Sequence, residues 1–290
     1  MLTVLASVAI FGATVASRPA DFDRSVESIS FGGSERSFIL HAPPAGTPRP
    51  LVIVLHGWTA SGALCEANTR MAARATERGY VVAFPDGTGA RRGWNAGFID
   101  LSGTKADDPA FVMAVVDAIG RKTSIDPRRV FVCGHSNGAF LSHAVAARYG
   151  DRVAAIGAVA GTTGVGERRL AKPTGRPSVM LIHAVDDSVV AYAADSKALL
   201  RGVAMPESAQ WWATSLGLAK VATDERSAFP GAQRVDRWRE AADGVEVLAV
   251  TLAEGGHQWP GGRTVGGVET RSGADATKML LDFFDTRPRR

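Results

Sequence analysis

A sharp turn built around one serine constrains the fold of this chain more than any other feature of its sequence. An apolar run at residues 130–133 leads into the pentapeptide Gly-His-Ser-Asn-Gly at 134–138, and small residues typical of a helix continue to about Tyr149. Glycines two residues before and after Ser136 let the strand and the helix approach closely, which holds the serine hydroxyl exposed on a strained turn. The pattern predicts a strand-turn-helix unit with Ser136 as a nucleophile.

Segments patterned like strands alternate with segments patterned like helices. Continuous apolar runs such as 51–55 and 80–84 are typical of parallel strands that are buried on both faces. Antiparallel strand pairs are expected near 25–43 and 235–252. Helices are expected over 63–78, which is followed by Gly79, over 108–121, with Asp108 as its N-cap, and over 207–215 and 274–284. This alternation predicts an α/β fold in which a mostly parallel central sheet carries helices on both faces.

The chain shows no internal repeat and no linker, so we expect one domain over residues 25–287. Its 290 residues, 46% of them hydrophobic, suffice to bury one sizeable core. The interval between Val159 and Ser178 is too short for a large cap domain of helices. The sequence therefore predicts a site that is left uncovered.

The formal net charge of +4 does not indicate a nucleic-acid partner, because the arginines are dispersed and form no basic stripe. No Gly-x-Gly-x-x-Gly pattern and no phosphate-binding loop occurs, so no nucleotide cofactor is expected. The pair Asp107-Asp108 lacks a His or Glu at ligand spacing, which favours helix capping over a metal site. We therefore predict neither a cofactor nor a metal.

The first 17 residues are typical of a secretory signal peptide. An apolar stretch at 2–15 precedes small residues and then Arg18-Pro19, which places cleavage near Ala16 or Ser17. A positive charge near the start is missing, so a misassigned start or a lipid-facing anchor stays open. The stretch is short for a transmembrane helix, and no other segment could span a bilayer. We expect a secreted or periplasmic protein without stable membrane insertion.

The two cysteines do not form a disulfide framework. Cys133 lies inside the predicted central strand, where it would behave as a small buried hydrophobic residue. Pairing with Cys65 stays open. The serine, and not a thiol, is the predicted nucleophile.

Two further strand ends carry the partners that a serine nucleophile needs. The run 179–182 is followed by His183 and by Asp186-Asp187, and the run 247–252 is followed by His257. A hydroxyl needs an imidazole to take its proton, and the imidazole needs a carboxylate to fix its tautomer. His257 is the only histidine after the acidic loop, so it is the predicted base. Two adjacent aspartates point in different directions, so at most one of them reaches His257.

Other residues are expected to surround this serine. The backbone N–H of Asn137 and that of Trp58, in the loop after the run 51–55, are the predicted oxyanion-hole donors. A structural hydrogen-bonding role is favoured for His56 over that of a second base. The predicted substrate-binding side chains, each equally compatible with packing, are Trp94, His135 and Trp259.

With these residues assembled, the chain resembles the polyhydroxybutyrate depolymerase and feruloyl esterase family of α/β-hydrolases, which is related to carbohydrate esterase family 1. The resemblance rests on these stretches: Leu55-His56-Gly57, Pro85-Asp86-Gly87-Thr88, Trp94-Asn95-Ala96-Gly97, Asp107-Asp108, 125–130, 134–138, 183–192 and 256–262. It implies the α/β-hydrolase fold and selects Asp187 as the acid. Family members often carry cysteines after Trp-Asn-Ala-Gly, where this chain has Phe98-Ile99.

The resemblance implies a secreted serine carboxylesterase that hydrolyses short hydroxyacyl or aromatic esters through an acyl-enzyme. Acetylxylan esterase and acyltransferase activities would use the same residues, and a non-catalytic secreted binding protein is the remaining alternative. The family's polyester depolymerases usually append a linker and a binding domain, and the chain ends after its last predicted helix. We therefore expect soluble oligomeric or small ester substrates.

Overall fold

A computed structural model of the protein describes residues 22–44, 46–165, 168–221, 229–240, 242–264, 270 and 272–289. The predicted signal peptide at 1–17 lies outside these residues. The strands are β1 (Asp23–Phe31), β2 (Ser34–Ala42), β3 (Arg49–Leu55), β4 (Val81–Pro85), β5 (Ile125–His135), β6 (Ala155–Val159), β7 (Gly164–Val165), β8 (Arg168–Arg169), β9 (Ser178–Ala184), β10 (Ala219–Val221), β11 (Ala232–Arg239) and β12 (Glu246–Leu252). The helices are α1 (Gly62–Thr69), α2 (Met71–Glu77), α3 (Asp108–Lys122), α4 (Asn137–Arg148), α5 (Met205–Leu216) and α6 (Ala276–Asp285).

The described strands form a ten-stranded sheet in the order β1-β2-β4-β3-β5-β6-β9-β12-β11-β10. The strands from β4 to β12 in this order run parallel. An antiparallel pair extends the sheet at each end, β1-β2 on one side and β11-β10 on the other. This is the predicted, mostly parallel sheet of an α/β-hydrolase.

Helices cover both faces of the sheet, as predicted. Leu51, Ile53 and Leu55 of β3 pack in one apolar cluster with α3, α4 and α5. Val52 and Val54 pack in the other cluster with α1, α2 and α6. Successive side chains of a strand point to opposite faces, so a continuous apolar run such as this one buries a strand on both sides.

Two features of the helices differ from the sequence prediction, beyond shifts of one or two residues at the ends of α5 and α6. The helix expected over 63–78 is two helices, because Arg70 adopts the left-handed conformation with φ 56°. The third helix has Asp107 as its N-cap, and not Asp108, because the Asp107 side chain accepts the N–H of Ala110. Between β6 and β9 the described residues form only the short β7-β8 pair, so no helical cap is seen there.

The order of the parallel strands determines where the functional loops meet. The strands β3, β5, β6, β9 and β12 are consecutive in the sheet and parallel. Their carboxyl ends therefore meet at one edge, which brings together the loops that follow β3, β5, β9 and β12. Among the described helices, none has both the length and the hydropathy needed to span a bilayer.

Candidate active site

The turn that carries Ser136 is strained in the way the sequence predicts. Ser136 has φ 55° and ψ −116° between β5 and α4. A Cβ built on Gly134 would lie 2.4 Å from the carbonyl carbon of Gly138, and one built on Gly138 would lie 2.2 Å from the carbonyl oxygen of Leu55. Both contacts are far closer than any side chain tolerates, so both positions require glycine.

A continuous hydrogen-bond chain connects the serine, the histidine and one aspartate. The Nε2 atom of His257 lies 2.8 Å from the Oγ atom of Ser136. Its Nδ1 atom lies 2.8 Å from Oδ2 of Asp187. Since a carboxylate only accepts hydrogen bonds, Nδ1 carries the proton, and Nε2 is free to take a proton from the serine hydroxyl.

The adjacent aspartates point in different directions. Asp187 is buried, and its Oδ1 atom accepts the backbone N–H groups of Val189 and Val190 at 2.8 and 2.9 Å. Asp186 is exposed and accepts the backbone N–H of Gly256 at 2.8 Å, which ties down the loop that leads to His257. The structure thus brings Asp187, and not Asp186, to the histidine.

A second histidine shares the buried carboxylate. The Nε2 atom of His183 lies 3.1 Å from Oδ2 of Asp187 and 3.1 Å from the carbonyl oxygen of Val190. Burial raises the pKa of Asp187, but the hydrogen bonds from His183 and His257 outweigh burial and hold the pKa well below its usual value. The carboxylate is therefore ionised at neutral and mildly acidic pH. The sequence shows His183 only as the residue that follows the run 179–182, and it gives no signal of this contact with the acid.

Two backbone segments border the serine where an oxyanion would form. Asn137 is the first residue of α4, and the first N–H groups of a helix have no partner within it. A Cβ built on Gly57 would lie 3.5 Å from the Cβ of Ser136, so the loop that carries Trp58 passes directly beside the nucleophile. The Trp58 side chain is 40% exposed, with the guanidinium of Arg91 5.5 Å from its ring centroid.

His56 is held in a fixed tautomer that leaves no nitrogen for catalysis. Its Nδ1 donates to the carbonyl oxygen of Gly57 at 2.7 Å, and its Nε2 accepts the N–H of Gly87 at 2.9 Å. Burial lowers the pKa of His56 to about 4. The imidazole is therefore neutral and cross-links two loops, the structural role that the sequence favours.

The predictions for two tryptophans are wrong. Trp94 is fully buried, and its indole N–H donates to the carbonyl oxygen of His56. Trp259 is 5% exposed, and its indole N–H donates to Thr277. Both rings are large enough to fill the core beneath the loops, so neither presents its face to a substrate.

His135 lies beside the base. Its ring centroid is 4.9 Å from that of His257, and its Nε2 atom has no hydrogen-bond partner in the described part of the chain. Burial lowers the pKa of His135 to about 3, so the ring is neutral. Its contact with substrate stays a prediction.

The buried ion pair between Arg36 and Asp108, next to this site, was not predicted from the sequence. Asp108 was assigned to a helix cap, whereas its carboxylate pairs with Arg36 at 2.9 Å. The sequence signal that could have predicted this pair lies in β2. Arg36 shares one face of this strand with Phe38 and Leu40, both of which point into the core. A charged residue at an inward position of a strand calls for a buried partner.

The two cysteines are free and buried. Burial raises the pKa of Cys65 to about 12 and also raises that of Cys133, so neither thiol ionises readily. Within the described residues, no group of three or more His, Cys, Asp or Glu side chains is arranged to hold a metal ion.

Comparison with known proteins places this geometry among esterases. Residues 36–173 match the family described as Esterase PHB depolymerase. The chain is 29% identical over 265 residues to "Putative esterase NocK" of Nocardia uniformis subsp. tsuyamanensis, covering 84% of this chain and 76% of that protein. It is 36% identical over 124 residues to poly(3-hydroxyalkanoate) depolymerase C of Paucimonas lemoignei, covering 41% of this chain and 30% of that protein.

A solved structure shares the fold. The acetyl xylan esterase from Aspergillus awamori superposes with a TM-score of 0.60 and 15% identity, over 90% of this chain and 99% of that one. Residues 36–173 therefore match the Esterase PHB depolymerase family, and the chain is a carboxylic ester hydrolase with the α/β-hydrolase fold.

Proposed function

We propose that Ser136, His257 and Asp187 are the catalytic triad of a secreted serine carboxylesterase. The observation that carries the proposal is the unbroken chain of two 2.8 Å hydrogen bonds from the Ser136 hydroxyl through His257 to the Asp187 carboxylate. The strained turn at Ser136 adds support, because backbone strain of this kind persists where it aims a reacting group.

The geometry supports a two-step reaction through an acyl-enzyme. The Oγ atom of Ser136 attacks the ester carbonyl carbon while His257 Nε2 takes its proton. The N–H groups of Asn137 and Trp58 stabilise the oxyanion, and its collapse expels the alkoxide, which takes the proton from His257. Water then attacks the acyl carbonyl, giving its proton to His257, and Ser136 leaves with that proton as the acid is released.

Short hydroxyacyl or aromatic esters are the proposed substrates. Support comes from the depolymerase family match and from the lack of a described helical cap between β6 and β9, which leaves little area to sequester a long acyl chain. His135 beside His257 is the proposed substrate-lining side chain. Acetylxylan esterase and acyltransferase activities use the same triad and are the alternatives.

Replacing the nucleophile tests the triad. Ser136→Ala is expected to lower kcat on p-nitrophenyl acetate by about 10⁴-fold or more, because the acyl-enzyme cannot form. Ser34→Ala, an exposed serine in the first hairpin, is the matched control and should keep full activity. Substantial activity in Ser136→Ala, with an intact circular-dichroism spectrum, would contradict the proposal.

A fluorophosphonate probe separates the enzyme from a non-catalytic binder. The wild-type protein should be labelled covalently and Ser136→Ala should not. Folded wild-type protein that is never labelled, yet binds polyester or polysaccharide, would favour the binding protein. Product analysis with an added alcohol acceptor distinguishes acyl transfer from hydrolysis.

A substrate panel tests the acyl preference. We expect the highest kcat/KM among methyl ferulate, hydroxybutyrate oligomers and the shortest of a series of p-nitrophenyl esters. Acetylxylan as the best substrate would favour the alternative, and a maximum on the longest p-nitrophenyl esters would point to a lipase-like site.

The proposal also includes a single domain over 25–287 and a signal peptide at 1–17. N-terminal sequencing of the exported protein tests the signal peptide.

A further inference from the structure

A series of hydrogen bonds connects a buried ion pair to the turn that carries the nucleophile. Arg36 of β2 is 4% exposed and Asp108 of α3 is 0% exposed, with 2.9 Å between Nη2 and Oδ1. The same nitrogen donates to the carbonyl oxygen of Asp86, and the guanidinium lies 3.7 Å from the ring centroid of Phe111. Withdrawing two charges from water is costly, and a buried pair adds little net stability. Its contacts therefore indicate another role.

The second carboxylate oxygen holds the long loop between β4 and α3. Oδ2 of Asp108 accepts the backbone N–H of Asn95 at 2.7 Å. The Asn95 side chain in turn donates to the carbonyl oxygen of Ala106 at 2.9 Å. The ion pair thus anchors the residue that directly follows Trp94.

Trp94 connects this anchor to both backbone segments that border the serine. Its N–H donates to Oδ1 of Asn137 at 2.7 Å, and its carbonyl oxygen accepts Nδ2 of the same side chain at 3.2 Å. Its indole N–H donates to the carbonyl oxygen of His56 at 2.8 Å, directly before the Gly57-Trp58 loop. One residue therefore holds the peptide groups on both sides of the expected oxyanion.

We propose that Asp108, charge-balanced by Arg36, is a positioning residue for the oxyanion hole and acts through Asn95 and Trp94. The inference rests on the proposed triad. Oxyanion donors act only when they lie at hydrogen-bond distance from the developing charge, so a small displacement of Asn137 and Trp58 lowers the rate more than the affinity. Asp108 holds those donors in place without contacting the substrate.

The test removes the anchor without leaving an unpaired charge. In the double variant Arg36→Met/Asp108→Leu, kcat on p-nitrophenyl acetate should fall about 10- to 100-fold, with KM within about twofold of wild type. In Arg36→Met/Asp108→Asn, the amide oxygen can still accept the Asn95 N–H, and most of the lost kcat should return. A purely structural pair would show no such rescue.

A second variant tests the other end of the chain. Asn137→Ala keeps the backbone N–H of the oxyanion hole but removes the clamp on Trp94, so it should lower kcat with KM unchanged. Combined with Arg36→Met/Asp108→Leu, its effect should be strongly less than additive, although the two side chains do not touch. Unchanged kcat in Asn137→Ala would overturn the proposal even if the double variant does not fold. Where the double variant folds, additive losses would overturn it as well.

A buried carboxylate with arginine partners at the opposite edge of the sheet is the control. Glu246, at the start of β12, pairs with Arg237 at 2.6 Å and also with Arg287. Arg237→Met/Glu246→Leu leaves Arg287 without its Glu246 partner, so it should lower Tm but leave kcat unchanged. An equal loss of kcat in both variants would show a non-specific effect. If Ser136→Ala stays active, the triad itself is wrong. If Ser136→Ala is inactive while Arg36→Met/Asp108→Leu turns over normally, only the positioning role fails.

Discussion

At the scale of single residues, the sharing of one carboxylate oxygen by two imidazoles affects the base. His183 and His257 both contact Oδ2 of Asp187, at 3.1 and 2.8 Å. A hydrogen bond from the buried His183 disperses the negative charge of the carboxylate. Without that hydrogen bond, the charge on the carboxylate would be less dispersed and would attract the ring of His257 more strongly while that ring holds the proton taken from Ser136.

Replacing this second imidazole should therefore move the pH profile. His183→Phe removes the donor, and the acid limb of the kcat/KM profile should move to higher pH. His183→Gln keeps a donor and should shift it less. Tyr192→Phe, which keeps the ring beside His183, is the control. An unshifted acid limb in His183→Phe would refute the charge-sharing argument.

At the scale of elements, the contact between β5 and α4 is set by backbone and not by side chains. Gly138 lies over the end of β3, where a Cβ would lie 2.2 Å from the carbonyl oxygen of Leu55. Gly120, in the exposed last turn of α3, has only the flexible end of Ile125 at 3.6 Å. Glycine is thus needed at one position and replaceable at the other.

Alanine substitutions at these two glycines should have opposite effects. Gly120→Ala should raise the free energy of unfolding by about 0.5 to 1 kcal/mol, because alanine loses less backbone entropy in a helix. Gly138→Ala must displace backbone beside Ser136, so both stability and kcat should fall. Urea unfolding and p-nitrophenyl acetate turnover measure these outcomes. Equal stabilities in the two variants would contradict the packing argument.

At the scale of the whole molecule, neutral histidines are distributed through the buried part of the fold. Burial lowers the pKa of His56 and His143 to about 4, and that of His135 to about 3. His143 is fully buried, and its Nδ1 atom accepts the indole N–H of Trp212 at 3.0 Å. An unfolded chain would protonate these side chains near pH 6.5.

The protein should therefore lose stability as the pH falls from about 6.5 to 4. In that range the unfolded state binds protons that the folded state does not, and each such histidine contributes a slope of about 1.4 kcal/mol per pH unit. Asp187 adds to this slope only below about pH 5, because only there does the unfolded carboxylate bind protons that the folded one, with its lowered pKa, does not. His143→Gln keeps an acceptor for Trp212 and should make the decline shallower by one histidine's share. Denaturant midpoints of the wild type and of His143→Gln, measured between pH 4 and 7, test this prediction. Parallel curves for the two proteins would contradict it.

The sequence by itself determined the parts of this protein that depend on local pattern. The glycines around Ser136, the apolar runs that precede each functional loop, and the order of serine, aspartate and histidine predicted the sheet and two members of the hydrogen-bonded chain. These signals are readable because strand periodicity and turn chemistry act over a few residues.

Only the tertiary structure decided which residues meet across the fold. Local pattern left Asp186 and Asp187 open as the acid until the family resemblance selected Asp187, and the structure places Asp187 against His257 while Asp186 accepts the N–H of Gly256. The structure buried Trp94 as a bridge between loops, and it joined Arg36 to Asp108, 72 positions away. Such pairings depend on strand order and loop packing, because hydrogen bonds between distant segments follow from three-dimensional proximity, which no local pattern encodes.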